Sequence, residues 1–178
     1  MNKPLDHFVP LARWLHWSMA VALLAMLFIG AGMVASVSTR HQWLIQLHKP
    51  LGIALLALAV IRLGVRLATR QPPLPADLPA FQALAAKASH WLLYGLMLTL
   101  PLLGWAMLSA AGDPVSLGAG VRLPPLLAPD AATFAVLRTA HGYLAYLLFC
   151  TVLVHLAAAL YHGLIRRDGV LRSMARGR

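Results

Sequence analysis

Acidic side chains are scarce in this chain: 178 residues include five, all aspartate. Asp6, Asp77, Asp113, Asp130 and Asp168 fall outside the long apolar runs, so intramembrane acid-base or cation-transport chemistry lacks its usual carboxylates. A single cysteine, Cys150, excludes an intramolecular disulfide and any CxxC metal or redox motif, and reads as a packing residue. No internal repeat, glycine-rich phosphate loop or Ser/His/Asp arrangement occurs. Charge of either sign is thin, at 11% of residues, against 60% hydrophobic residues and a mean hydropathy of +0.74. That balance lies outside the range of soluble globular proteins and points to a membrane protein.

Apolar runs occupy approximately 14–37, 48–69, 89–111 and 139–165, each long enough to cross about 30 Å of hydrocarbon as a helix. The second contains Arg62 and Arg66 in its last third, where long side chains snorkel or meet an anionic partner. The first follows Lys3 and Arg13 and ends in AGMVAS, but it is too long for a signal-peptide apolar region and reads as a span. Helices are the only open-ended structures that satisfy their own backbone in lipid. The expected fold is therefore all-α: an integral membrane up-down-up-down four-helix bundle, a single domain over 1–178. The second connection, TRQPPLPADLPAFQALAAKAS, opens with prolines and closes in an Ala-rich stretch suited to a short interfacial helix.

A net charge of +10 would suggest nucleic acid in a soluble chain, but here the basic residues gather near span ends as topology signals, and no nucleic-acid partner is expected. Lys3 and Arg13, then Arg62, Arg66, Arg70 and Lys87, then Arg166, Arg167, Arg172, Arg176 and Arg178 mark one side; by the positive-inside rule both termini are cytoplasmic. The opposite loops carry Arg40, Lys49, Arg122 and Arg138 and face outward. Trp14, Trp17, Trp43, Trp91 and Trp105 read as interfacial anchors.

Eight histidines remain to be explained, of which His7 and His41 fall outside the spans and are set aside. His141 and His155 bound the segment HGYLAYLLFCTVLVH; 14 residues apart, they lie about 40° apart on one helix face and roughly 21 Å apart along its axis. His48 opens the second span at the depth of His141, and His16 begins the first at the depth of His155. Two pairs of imidazoles on facing helices are what bis-histidine haem needs, which implies two haems stacked across the membrane inside the bundle. Gly52, four residues after His48, leaves room for a flat macrocycle, and Arg62, 14 residues after His48, stands at the depth of His155 to meet a propionate. A lone intramembrane histidine is ordinarily an interhelical hydrogen-bonding or pocket residue. Four that match in depth by two independent pairings favour haem, and metal transport lacks its helping carboxylates or thiolates. His90 and His162 belong to the inner side; His162, near the headgroups, suits a propionate, a proton or a quinone oxygen, or is a plain interfacial histidine.

The segments RWLHW at 13–17, QLHKPLG at 46–52, VIRLGVRL at 60–67, SHWLLYGLMLTLPLLGW at 89–105, AHGYLAY and VLVHLAAALYHGLIRRDGVLRSM closely resemble the bacterial cytochrome b561 family of small dihaem membrane proteins. The resemblance runs over essentially the whole chain. It implies two haem b groups, one ligated by His16 and His155 and the other by His48 and His141. It also implies an oxidoreductase of the bacterial inner membrane that oxidises superoxide and reduces ubiquinone. On that reading Lys49 and Arg138, with Arg40 and Arg122, draw the superoxide anion to the outer face. His162 and His90 then meet the need for a titrating group beside a quinone, and no protein partner is required. The alternative is a haem b anchor subunit relaying electrons between a hydrogenase or dehydrogenase partner and the quinone pool. One departure is the leading MNKPLDHFVP, longer than expected before a first helix.

Overall fold

The computed structural model describes residues 7–35, 37–118 and 120–176; the expectations placed on Lys3, Asp6 and Arg178 fall outside the described residues. Four long helices dominate: α1 Pro10–Val34, α2 Thr39–Ala68, α3 Ala80–Ala110 and α4 Ala131–Leu160. The last runs on through a π-helical turn, Tyr161–Arg166, to a short α5, Val170–Ala175. In the α3–α4 connection β1, Ser116–Gly118, pairs antiparallel with β2, Val121–Arg122. Neighbours in sequence pack as neighbours in space, α1 on α2, α2 on α3 and α3 on α4, and the chain is an all-α membrane four-helix bundle. The start of α1 and end of α4 define its termini end; the β1–β2 ribbon marks the other.

Each long helix is apolar nearly all round, the pattern of a membrane span rather than of a surface helix with one buried stripe. Polar residues act at the ends. Pro10 sits in the first turn of α1, where its missing N–H costs nothing. The Asp130 carboxylate accepts from the Thr133 N–H at 2.7 Å to cap α4, and hydrogen bonding from the Thr133 side chain and N–H holds its pKa below the usual carboxylate value. Ser38 caps α2 in the same way through Arg40 N–H. Pro50 and Pro101 lie inside α2 and α3, which continue through them, because lipid offers the backbone no alternative partner.

The helices overrun the expected spans. α2 reaches back to Thr39, α3 absorbs the Ala-rich stretch that reads as a separate interfacial helix, and α4 starts at Ala131. Hydropathy locates the part that crosses hydrocarbon, whereas the helix end is set by the capping residue, and Ser38, Pro79 and Asp130 all lie outside the apolar runs. His41 thereby joins the first turn of α2, its Nδ1 2.9 Å from the Met33 carbonyl at the end of α1.

A leucine layer fills the middle of the bundle: Leu93, Leu96 and Leu100 of α3 and Leu148 of α4, with Leu23, Met97, Leu144, Ala145 and Val152 around them. Most other large apolar residues point outward, as Phe28 and Val154 do, where acyl chains take the place of protein. Cys150 also faces outward, which corrects its reading as a packing residue: a thiol as apolar as lipid needs no interior site. At the termini end Trp17 Nε1 donates to the Met174 carbonyl at 3.1 Å, and the Phe8 N–H to that of Ser173, tying α5 to α1. A side chain at Gly163 would strike Leu171 of α5. Gly163→Val should therefore prise α5 from the π-turn at an overpacking cost of about 1–3 kcal/mol. Amide exchange over 170–175 should rise roughly five- to hundredfold, while the α3–α4 leucine layer keeps its protection.

Candidate functional site

Helix α4 carries His141 and His155 on either side of its share of the leucine layer, so that each imidazole meets a different helix. The His155 ring centre lies 6.3 Å from that of His16 on α1, the two planes inclined at 67°. At the ribbon end His141 faces His48 of α2 at 6.2 Å and 64°. Two imidazoles bound through nitrogen to opposite sides of one metal ion, with bonds of about 2.0 Å and about 1.1 Å more to each ring centre, stand ~6.2 Å apart. The inclination is open to two rings that share one axis and are rotated about it. Both pairs thus have the separation that bis-histidine iron requires.

The ribbon-end pair is further shaped for it. Nδ1 of His48 and of His141 is sealed from solvent without a hydrogen-bond partner at standard geometry, although the His141 ring approaches the backbone of Leu100. A Cβ at Gly104 of α3 would lie 3.4 Å from His141 Cε1, so this glycine makes space for the ring. A Cβ at Gly52, the glycine expected to leave room for a macrocycle, would lie 3.7 Å from the tip of Met26. Nothing in the sequence separates Gly104 from other glycines in the spans except its place three residues after Pro101.

The termini-end pair sits in a polar cluster to which all four helices contribute. Arg62 Nη1 donates to the Ala12 carbonyl at 3.0 Å, fastening the first turn of α1 one turn before His16. Its charge bears on both His16 and His155. His90 lies against His155 with ring centres 5.5 Å apart, closer than an intervening metal allows. Tyr94, one turn further along α3, is buried.

His162 occupies different surroundings. Its Nδ1 contacts Asp168 Oδ2 at 2.5 Å, and the same oxygen lies 2.9 Å from Arg166 Nε. Arg166 also reaches Asp77 of the proline-rich loop at 2.7 Å, at contact distance though off the straight hydrogen-bond line. The two histidines expected to share a role are thus divided: His90 joins the clamp, and His162 turns to Asp168. Sequence reading passed over Asp168 and Arg166, whose signal is the run HGLIRRD, a histidine and a carboxylate brought together only because the helix widens there.

At the ribbon end Lys49 Nζ binds Asp113 Oδ2 at 2.6 Å, so its charge is balanced on the spot, while Arg138 stays exposed on α4.

A membrane four-helix bundle that opposes two imidazole pairs at these separations is a scaffold of the kind that carries bis-histidine haem. Comparison with known proteins agrees: residues 7–177 match the prokaryotic cytochrome b561 family. The chain is 32% identical over 177 residues to Cytochrome b561 homolog 2 of Escherichia coli (strain K12), covering 97% of this chain and 93% of that one. It is 27% identical over 172 residues to Cytochrome b561 homolog 1 of the same organism, covering 96% and 97%. A third relative, Probable superoxide oxidase CybB of Yersinia pestis, is 29% identical over 133 residues, 74% of each chain. The protein belongs to the prokaryotic cytochrome b561 family. It is a bacterial membrane electron-transfer protein, and its family implies b-type haem.

Asp168 links this site to pH. Burial raises its pKa, but hydrogen bonds from His162 and the Val170 N–H, with the charge of Arg166, outweigh that and leave it below the usual value. A depressed carboxyl stabilises the fold above its unfolded pKa of about 3.9 and loses that contribution as pH falls through the folded value. Protease resistance of the segment from 161 to 176 should accordingly fall below about pH 4. In Asp168→Asn it should already be reduced at pH 7, with no further acid-dependent step from this residue.

Proposed function

We propose that this protein is a superoxide:ubiquinone oxidoreductase with two haem b groups, one held by His16 and His155 and the other by His48 and His141. The observation that carries the reading is the pair of ring separations, 6.3 and 6.2 Å, at two levels of one bundle. The name of the Yersinia pestis relative supports the choice of donor. Haem bound at these clamps supplies reversible one-electron transfer.

The balance is simple. Two superoxide anions each give up one electron and leave as dioxygen; ubiquinone takes the two electrons with two protons and leaves as the quinol. The residues of this chain supply the rest. Basic residues at the termini end, among them Arg13, Arg62, Arg66, Arg70, Lys87, Arg166, Arg167, Arg172 and Arg176, outnumber those at the ribbon end, which supports reading both termini as cytoplasmic in an inner-membrane protein. The ribbon end then meets superoxide from outside. Because Asp113 balances Lys49, the attraction of the anion falls mainly to Arg138, Arg40 and Arg122. At the cytoplasmic face Asp168 engages His162 Nδ1 and leaves Nε2 to pass a proton to a quinone oxygen. A soluble protein partner is not required.

Purified protein should reduce a soluble ubiquinone analogue when superoxide is generated beside it, well above the uncatalysed rate; a rate no higher than that would sink the activity. His155→Ala should lose one haem per chain and keep the other, counted by reduced-minus-oxidised spectroscopy. Gly104→Val, which crowds His141, should remove the complementary one. Loss of both haems, or of neither, from a folded variant would contradict the pairing.

A further inference from the structure

Two helices present matched pairs of polar side chains beside the termini-end clamp. Arg62 and Arg66 stand one turn apart on α2, and His90 and Tyr94 one turn apart on α3, so each pair shares a face. The Arg66 guanidinium carbon lies 5.8 Å from the centre of the Tyr94 ring, and Arg62 lies beside the same tyrosine. Both arginines bear electrostatically on His90, which packs on His155. Tyr94 is only 5% exposed, and its Oη has no partner at standard hydrogen-bond geometry among the described residues, although the Arg62 guanidinium approaches it.

Among the described residues no carboxylate pairs with either cation. Guanidinium groups stay protonated, and a buried hydroxyl ordinarily finds a partner. Among the described residues Asp113 pairs with Lys49, Asp168 with His162 and Arg166, Asp77 with Arg166, and Asp130 caps α4. The other clamp differs: among the described residues no arginine bears on His48 or His141.

We propose that Arg62, Arg66, Tyr94 and His90 form a carboxylate cradle for the two propionates of the porphyrin clasped by His16 and His155; this rests on the dihaem reading above. The charge count selects the ligand. Two permanent cations match two carboxylates, the tyrosine hydroxyl adds a neutral donor, and Arg offers the planar pair of donors that a carboxylate fits. A quinone, which carries no fixed charge, would leave both arginines unbalanced. His90 is then a positioning residue: packed against His155, it holds the imidazole and borders the carboxylates.

The test is potentiometric titration of the purified holoprotein, following the two haems by their spectra. The component that disappears in His155→Ala identifies the haem of this clamp. Arg66→Gln and Tyr94→Phe should each shift the midpoint of that component downward, because losing a cation or a donor beside the propionates favours ferric iron, and should leave the second component unmoved. Arg66→Lys, which keeps the charge but not the planar donors, should recover part of the shift. Full haem content with unmoved midpoints in both Arg66→Gln and Tyr94→Phe overturns the cradle, as does a raised KM for a quinone analogue with both midpoints unchanged. Fewer than two haems per chain in the wild type would sink the underlying dihaem reading instead, so the two failures are distinguishable.

Discussion

The separation of His141 and His155 along one helix is the constraint on which the rest of the structure depends. Fourteen residues bring them back to nearly the same face about 21 Å apart, so a single straight helix offers an imidazole at each level of the membrane. Opposing both then takes two helices that start from opposite ends, which α1 and α2 provide through one short connection. Between the levels the same face of α4 carries Leu144, Ala145, Leu148 and Val152, packed against the leucines of α3. The apolar layer thus fixes the distance between the clamps as well as holding the bundle.

Charge is distributed just as unevenly along the membrane normal. On biological insertion scales an arginine at the centre of a span costs about 2.5–3.5 kcal/mol, so a pair unbalanced near that depth would cost a sizeable part of the roughly 5–15 kcal/mol that holds a typical domain together. Arg62 offsets some of this by bonding the Ala12 carbonyl, and its nearness to the helix end offsets more. Lys49, at the opposite end, is neutralised by Asp113. The two imidazole pairs are alike in ring geometry and unlike in their electrostatic setting, since arginine charge bears on one pair only among the described residues.

What could be read from the sequence follows from how local each determinant is. The spans were legible because lipid demands continuous apolar helices, and the two imidazole pairs because helical period and alternating topology together fix depth and face. The contact of His90 with His155 was not, since hydropathy put His90 at the head of its helix, whereas α3 begins at Ala80, and lateral neighbours depend on how each helix is rotated in the bundle. Lys49 and Asp113 lie 64 residues apart, joined through a loop whose path no periodic pattern encodes. The space that Gly104 makes for His141 was not legible either, because it depends on which residue of a neighbouring helix faces the ring.

The exit of α4 shows how much local strain this end of the molecule sustains. A π-helical turn over Tyr161–Arg166 gives way to Arg167 at φ 54°, a left-handed conformation that costs a side-chain-bearing residue on the order of 1–3 kcal/mol, and then to Gly169 at φ 85°. Such a backbone persists only where the surroundings over-determine it, and here they do. Asp168, lying between the two left-handed residues, contacts the His162 ring, the Arg166 guanidinium and the Val170 N–H. Arg166 carries the tie on to Asp77 in the α2–α3 loop, and Trp17 holds α5 from the side of α1. A regular helix continued through this region would keep His162 seven residues beyond His155 on nearly the same face, directed at the clamp. The widened turn and reversed backbone instead bring a carboxylate back onto its Nδ1, setting aside one imidazole at the end of the helix while those deeper in the bundle face one another.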